Sequence, residues 1–372
     1  MIKKAVKTVF KFLFKPILNR YHLILDKLDN LEYNVKSILE IINYKAAGLD
    51  STTNEELPPP QFLTSHQIEA LSGCCYDDAR LISKFSDPNA IPDDGYYTDF
   101  FGIKNSPMAL QNIKHRCGTV NHDLPFPNDN FHASAVEYAS LYYVIEQSKA
   151  DSFTMFELGA GWGPWMSYTA KACKIMGFKC INLIGIEGEE NKIPLIKEHL
   201  AINGFRQNNN ELSQSYNNVN SRIVHGVVTK NDCNVQFPIV DVYAYGASLL
   251  DTTFVKNHET TSVRGYSIKT LLNDFGIIDF MHLDIQGYEF DIINFAISIL
   301  NQKVRYICIG THSRKIEGDL LDLMFENDWE LLRESPCIFN KGTKLNDQHL
   351  VEMTTFDGTQ FWKNKNIRIL EL

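Results

Sequence analysis

An apolar run that ends in an acid and breaks at once into glycines is the feature that most limits how this chain can fold. Phe153-Thr154-Met155-Phe156-Glu157-Leu158 reads as a strand buried in a parallel sheet, because such strands are covered on both faces. The turn Gly159-Ala160-Gly161-Trp162-Gly163 lacks Cβ atoms at alternate positions, so its backbone can approach a ligand closely. Pro164 suits the first turn of a helix, where its missing N–H costs nothing. Strand, glycine turn and helix together predict a nucleotide-type crevice at the carboxyl end of a sheet.

Two cofactor classes use such a turn. A dinucleotide fingerprint has glycines at its first, third and sixth positions, so that a pyrophosphate can rest on the helix N-terminus. Here the sixth position is Pro164 and the glycines are Gly159, Gly161 and Gly163. This G-x-G-x-G, preceded by Glu157, resembles motif I of class I S-adenosylmethionine (SAM) methyltransferases. The resemblance implies that the acid lies near the cationic methionine end of the cofactor; a carboxylate there would also repel a pyrophosphate. A structural tight turn without a cofactor is the plainer alternative.

At 372 residues the chain can bury a full core and still carry a second module. Its net charge of −9 argues against a general nucleic-acid binder, which shows a basic face. Of the eight cysteines, Cys74 and Cys75 are adjacent, and Cys117, Cys173, Cys180, Cys233, Cys308 and Cys337 are scattered without a C-x-x-C pair. Neither a zinc site nor a disulfide framework is implied, and a reducing cytoplasm is the simpler compartment. No apolar run reaches the roughly 20 residues that span a bilayer. Lys7, Lys11 and Lys15 break any signal-peptide core, so the N-terminus is taken as mature structure.

Residues 1–20 carry Lys3, Lys4, Lys7, Lys11, Lys15 and Arg20 without one acid, and apolar residues recur between them at three- and four-residue steps. That predicts a basic amphipathic helix, either lying on an anionic membrane or packed on another subunit. From Ile17 a heptad runs through Tyr21, Ile24, Leu28, Leu31, Val35, Ile38 and Ile42, which argues for a coiled coil and a homo-oligomer. The alternative is a helix folded back on its own domain. Residues 46–61, with Gly48 and Pro58-Pro59-Pro60, have linker composition. Residues 62–150 read as a helical cap or substrate region, with helices over 65–71, 76–85 and 134–146 and a surface loop over 121–132 that holds His122 and His132.

Residues 151–372 read as the main domain. Ile181 to Glu187 is a second buried strand, and an acid at its tip suits the paired hydroxyls of a ribose. Arg222 to Val228 is a third strand. The long segment 229–265 contains Tyr243 and Tyr245, whose rings could face a sugar unless a hairpin simply alternates them in and out. A helix over 267–274 precedes the strand Asp279–Leu283, which delivers Asp284 to the carboxyl edge of the sheet. Glu289 opens the next helix, and the strand Val304–Gly310 sets Thr311 and His312 at the same edge. Residues 329–333, 350–355 and 359–369 alternate like antiparallel strands.

The combination of ELGAGWG, IGIEG and SIKTLLNDFGIIDFMHLDIQGYE resembles the FkbM-type SAM-dependent methyltransferases over roughly 153–329. The resemblance implies a Rossmann-like class I methyltransferase sheet, mostly parallel with an antiparallel C-terminal hairpin, and O-methylation, commonly of sugars in polysaccharides or glycosylated natural products. On this reading Glu157, Gly159, Gly161, Gly163 and Glu187 bind the cofactor. His312 is the expected general base, since histidine titrates near neutrality, and His282 is core. Asp284 orients the base or the acceptor, or pairs with Glu289 on Mg²⁺, whose preferred ligands are oxygens. Arg314 would meet an anionic part of the acceptor, or form a surface ion pair. The competing reading from another class is a coiled-coil scaffold whose Rossmann-like domain only binds a nucleotide.

Overall fold

The computed structural model describes residues 72–122, 133–245, 259–339 and 354–367. The expected basic helix, coiled coil and linker, and His132, lie outside the described residues. The chain divides into two compact units, 1–62 with 75–77, and 63–74 with 78–372. The second unit holds the central sheet.

Helix α1 (Tyr76–Lys84) is followed by a short antiparallel pair, β1 (Tyr97–Thr98) and β2 (Lys104–Asn105), and then by α2 (Ala135–Gln147). α1 and α2 answer the helices expected over 76–85 and 134–146, and the one expected over 65–71 lies outside the described residues; between them Asp99 accepts the Phe101 and Ile103 N–H groups and turns the chain into the short ladder. Strand and helix then alternate: β3 (Ser152–Leu158), α3 (Pro164–Ile175), β4 (Cys180–Glu187) and α4 (Ile193–Ile202). After β5 (Ser213–Tyr216) and β6 (Val219–His225) come β10 (Ile278–Leu283), α6 (Glu289–Lys303), β11 (Val304–Thr311) and α7 (Arg314–Glu326). Strands β12 (Trp329–Ser335) and β15 (Gly358–Asn364) complete an eight-stranded sheet ordered β12-β15-β11-β10-β3-β4-β6-β5.

From β6 to β11 every pairing is parallel, as near-continuous apolar runs demand. β15 is antiparallel to both β11 and β12, and β5 to β6. Strand order reverses at β3, so a crevice opens beyond its carboxyl end.

Two-residue alternation on β3 feeds two cores. Phe153 and Met155 pack with Tyr138 of α2 and Met166 and Tyr168 of α3; Phe156 and Leu158 pack with Ile293 of α6 and Leu320 of α7. Truncating a fully buried residue such as Phe156 to Ala would cost about 3–5 kcal/mol. The same alternation turns Glu157 toward the α3 face, and this decides its partners.

The third expected strand is two. Gly226 breaks Arg222–Val228: its N–H bonds the Glu187 carbonyl, and β7 (Val227–Val228) leaves to join a three-stranded sheet with β8 (Cys233–Pro238) and β9 (Thr260–Tyr266). A Cβ on Gly226 would lie 2.6 Å from the Tyr266 ring, so the close approach selects glycine. Tyr243 and Tyr245 sit in a turn, not on a hairpin strand, because Asp241 accepts the Tyr243 N–H. The helix expected over 267–274 shrinks to α5 (Ile268–Leu271), capped by Ser267. The described part of the strand expected over 350–355 belongs to β14 (Thr354–Phe356), which pairs with β13 (Ile338–Phe339) outside the main sheet. No helix among the described residues is long and apolar enough to cross a membrane.

Candidate active site

The turn after β3 is held from both sides. Gly159 has φ +82°, and a Cβ there would stand 1.9 Å from the Asp284 carbonyl oxygen, because the Asp284 N–H bonds Leu158 where β10 ends. Gly163, at φ +75°, caps α3, and Pro164 begins it. A Cβ on Gly163 would come within 2.9 Å of Ile196. Gly161 donates its N–H to Glu187 Oε2 at 2.7 Å, while Glu187 Oε1 accepts the Glu189 N–H at 2.8 Å. The tip of the second parallel strand thus fixes the turn of the first.

Glu157 is buried and accepts the N–H groups of Trp165 (3.2 Å) and Met166 (2.9 Å), in the first turn of α3. Burial pushes its pKa well up, and these two bonds pull it partly back. Burial also raises Glu187, against the Glu189 N–H and Lys192. Glu189 forms a 2.6 Å pair with Lys192, both side chains almost wholly enclosed; burial outweighs the cation and takes Glu189 to about 7. Lys192 Nζ also lies 4.2 Å above the Tyr245 ring. Tyr245 stands edge-on to Trp162 at 4.9 Å and donates its hydroxyl to the Ala109 carbonyl at 2.8 Å.

A cavity of about 340 Å³ runs from this turn toward the end of β10. Its first half is lined by Glu157, Gly159, Gly161, Glu187, Lys192 and Tyr245, its second by Glu137, His282, Asp284, Gln286 and Asp357. That volume is at the small end of the range for small-molecule sites, about 300–1,000 Å³. Asp284 is partly open to this space, where protein rather than bulk water surrounds it; burial raises its pKa, and His312 and His282 pull it down. Gln286, left-handed at φ +57°, donates to Asp284 Oδ1 at 3.1 Å. His282 Nε2 lies 3.0 Å from Glu137 Oε2, and its ring packs 4.8 Å from that of Trp165.

The expected base is not at the wall. His312 is 1% exposed and lies behind Asp284, its Nε2 3.3 Å from Asp284 Oδ1 and its Nδ1 2.9 Å from Glu289 Oε1. Burial works against the imidazolium, yet Glu289, with Asp284 and Asp357, outweighs it and lifts the pKa to about 10. A ring already charged at neutral pH has no lone pair with which to take a proton. Glu289 is likewise turned inward: fully buried, its Oε1 accepts the Ile285 and Gly287 N–H groups, which shape the turn before α6. Tyr243 is exposed and does not line the cavity, and neither does Arg314, whose exposed guanidinium lies 3.4 Å from the buried Glu317 carboxylate. The structure thus gathers Glu157, Gly159, Gly161, Glu187, Tyr245 and Asp284 at one cavity, leaves Gly163 facing Ile196 outside its lining, and sets His312 and Glu289 directly behind it.

Glu137, Lys192, Gln286 and Asp357 were not singled out by sequence reasoning. Asp357 had a signal, an Asp-Gly turn before the last strand. Its place follows from register, since Gly358 pairs with Thr311, the neighbour of His312. Glu137 had none; it reaches the site only because the first turn of α2 packs over β10.

Comparison with known proteins agrees with the geometry. The Methyltransferase FkbM domain matches residues 157–334, from β3 through nearly all of β12. A protein of Jannaschia sp. (strain CCS1), named as a proposed methyltransferase, is 30% identical over 266 residues, 68% of this chain and 89% of its own length. Among solved structures, the methyltransferase FkbM from Methylobacillus flagellatus KT is similar at 11% identity and TM-score 0.35, covering 61% of this chain and 54% of that one. A ribosomal protein L11 methylase from Lactobacillus delbrueckii subsp. bulgaricus is similar at 10% identity and TM-score 0.31, covering 62% and 80%. Superpositions this loose add no weight; the domain match and the Jannaschia relative carry the assignment.

Sheet order and cavity define the class: a Rossmann-like methyltransferase fold with its crevice at the carboxyl edge of a mostly parallel sheet. Within that class, the chain belongs to the FkbM methyltransferase family. Membership implies SAM as the methyl donor, and the residues fit it: a bare-backboned turn at Gly159 and Gly161 faces an acid, Glu187, with lone pairs to spare.

Proposed function

We propose that this methyltransferase acts on a hydroxyl of a saccharide, in a surface polysaccharide or another glycan. The observation that carries the reading is one cavity that joins a bare-backboned turn to a group of carboxylates. When bound, SAM supplies an electrophilic methyl group on a sulfonium centre. Glu187 accepts the ribose hydroxyls with the lone pairs its two N–H bonds leave over. Gly159 and Gly161 keep the turn low enough for the ligand to lie against it, and Gly163 lets α3 start close to Ile196. Glu157 lines the same end of the cavity while anchoring α3.

At the far end Asp284 takes the hydroxyl proton. Partial enclosure makes it a stronger base than a free carboxylate, and His312 and Gln286 hold it in place. Glu137 and Asp357 add acceptors on the same wall. A wall rich in carboxylates suits an acceptor made of hydroxyl donors and disfavours an anionic one. Tyr245 closes the cofactor half; Tyr243, outside it, offers a ring to a longer glycan. The heptad from Ile17 to Ile42 supports a coiled coil that joins copies of the chain, and the acid-free basic stretch 1–20 supports contact with an anionic membrane face or with another subunit.

Calorimetric titration of SAM into the full chain tests the site. Gly161→Asp and Glu187→Ala should each weaken binding about tenfold or more, since a hydrogen bond to a charged group contributes roughly 1.5–3 kcal/mol. Unchanged binding by both would overturn the assignment. Mass spectrometry of surface glycans, with and without the gene, should show one added methylene mass per methyl; identical glycans would remove the saccharide. Liposome co-sedimentation with and without anionic lipid tests residues 1–20.

A further inference from the structure

Behind the acceptor end of the cavity His312 presents a buried nitrogen to two acids. Its Nε2 has Asp284 Oδ1 at 3.3 Å and Asp357 Oδ2 at 3.8 Å, yet neither ring nitrogen makes a hydrogen bond of acceptable geometry, and the side chain is 1% exposed. A buried polar atom left without a hydrogen bond is destabilising, so a group that satisfies it is favoured there. The opposite nitrogen, Nδ1, faces Glu289 Oε1 at 2.9 Å, and that oxygen is fixed by the Ile285 and Gly287 N–H groups. An imidazole backed by a buried carboxylate, with its other nitrogen aimed between ligand oxygens, is the arrangement that holds histidine on a metal.

We infer that His312 Nε2, Asp284 and Asp357 bind one divalent cation, of the Mn²⁺ or Mg²⁺ type, with Glu289 as the backing carboxylate and not a ligand. One imidazole and two carboxylates form a mixed, mainly hard donor set, which suits Mn²⁺ among the first-row ions. Ligand atoms bonded at about 2.1 Å stand about 3.0–3.4 Å apart around one ion in octahedral or tetrahedral geometry. The His312–Asp284 separation meets that as it stands. Asp357 must close by about half an ångström by the same estimate. Its side chain is half exposed at the mouth. Donor atoms of His312, Asp284 and the backing Glu289 all lie within 4.8 Å of one another, so the Asp357 side chain is the one that has to move.

Binding releases the Nε2 proton to solvent and puts the ion's remaining positions in the cavity. There a water or the acceptor hydroxyl completes the shell and becomes more acidic. The purpose of the site rests on the methyl-transfer reading; its existence does not.

The test is titration of the full-length, chelator-treated chain with MnCl₂, following free Mn²⁺ by electron paramagnetic resonance. One saturable site per chain is expected. Asp357→Asn should weaken it about tenfold or more, and His312→Gln should weaken it further. Asp93→Asn, at a surface ion pair with Lys104, should bind as the parent does. Thermal melts confirm that each variant is folded, and Asp357→Asn, on an exposed turn, keeps the test decisive if His312→Gln is not. Absence of saturable binding by the parent, or equal binding by Asp357→Asn and the parent, would overturn the inference. Calorimetry with SAM separates the two readings: SAM binding without Mn²⁺ binding removes only the cation, and Mn²⁺ binding without SAM binding leaves the cation and removes the cofactor site.

Discussion

The turn end of the cavity is a continuous run of backbone, Gly159 to Gly163, whereas the far end draws Glu137, Asp284, His312 and Asp357 from distant parts of the chain. At the turn, shape does the work. Positive φ angles and missing Cβ atoms leave room, and buried acids brace the loop from behind. At the far end charge does the work, through carboxylates disposed around one imidazolium. A backbone site tolerates no added atom; a side-chain site tolerates isosteric change but not the loss of a charge.

The largest effect expected from this contrast is that of Gly159→Ala. The new methyl group would meet the Asp284 carbonyl at 1.9 Å in a conformation that L residues resist, and each fault costs roughly 1–3 kcal/mol. A melting midpoint within a degree of the parent would break the claim that close approach selects glycine here. Next is Asp284→Asn, which should lower kcat about 10²–10⁴-fold while leaving SAM affinity nearly unchanged. If affinity fell as much as kcat, the two ends would not be separable.

Smaller is the pH effect of Glu189, which sharpens how the turn end is braced. Its folded pKa, about 7, stands above the 4.5 of an unstrained glutamate, so the folded state holds the proton more tightly than the unfolded one. Its contribution to stability is then full below about pH 4.5, declines as pH rises, and is lost above about 7. Melts from pH 4.5 to 7.5 should show a downward component that Glu189→Gln removes; an identical slope in the variant would refute it. Smallest is Arg314→Ala. Arg314 is exposed, and its buried partner Glu317 keeps the Thr311 hydroxyl and Cys337 N–H donors without it, so stability should fall by about 1 kcal/mol and methyl transfer should hardly move. A marked rise in KM would instead return Arg314 to the acceptor site.

The same contrast between local and distant residues explains which expectations held. The turn was legible because its chemistry is local: each requirement, a strand, positive φ, a helix start, falls on consecutive residues. Glu187 was legible because the tip of the next strand is fixed by the parallel alternation of strand and helix. Asp284 was placed at the sheet edge for the same reason. His312 shows the limit. The sequence put it beside Asp284, but not behind it, and a histidine's protonation depends on which acids enclose it. Arg222–Val228 failed as one strand because Gly226 looked like an ordinary residue in an apolar run until Tyr266 packed against it.

By itself, then, the order of residues determined the strand-and-helix alternation, the bare turn and the acids at the strand tips, since these depend on backbone stereochemistry and periodicity over a few neighbours. Only the folded chain decided that Glu137 and Asp357 share a wall with Asp284, and that His312 stands charged in its second rank. Those facts depend on register and packing between segments hundreds of atoms apart along the chain, and electrostatic interaction follows distance through space.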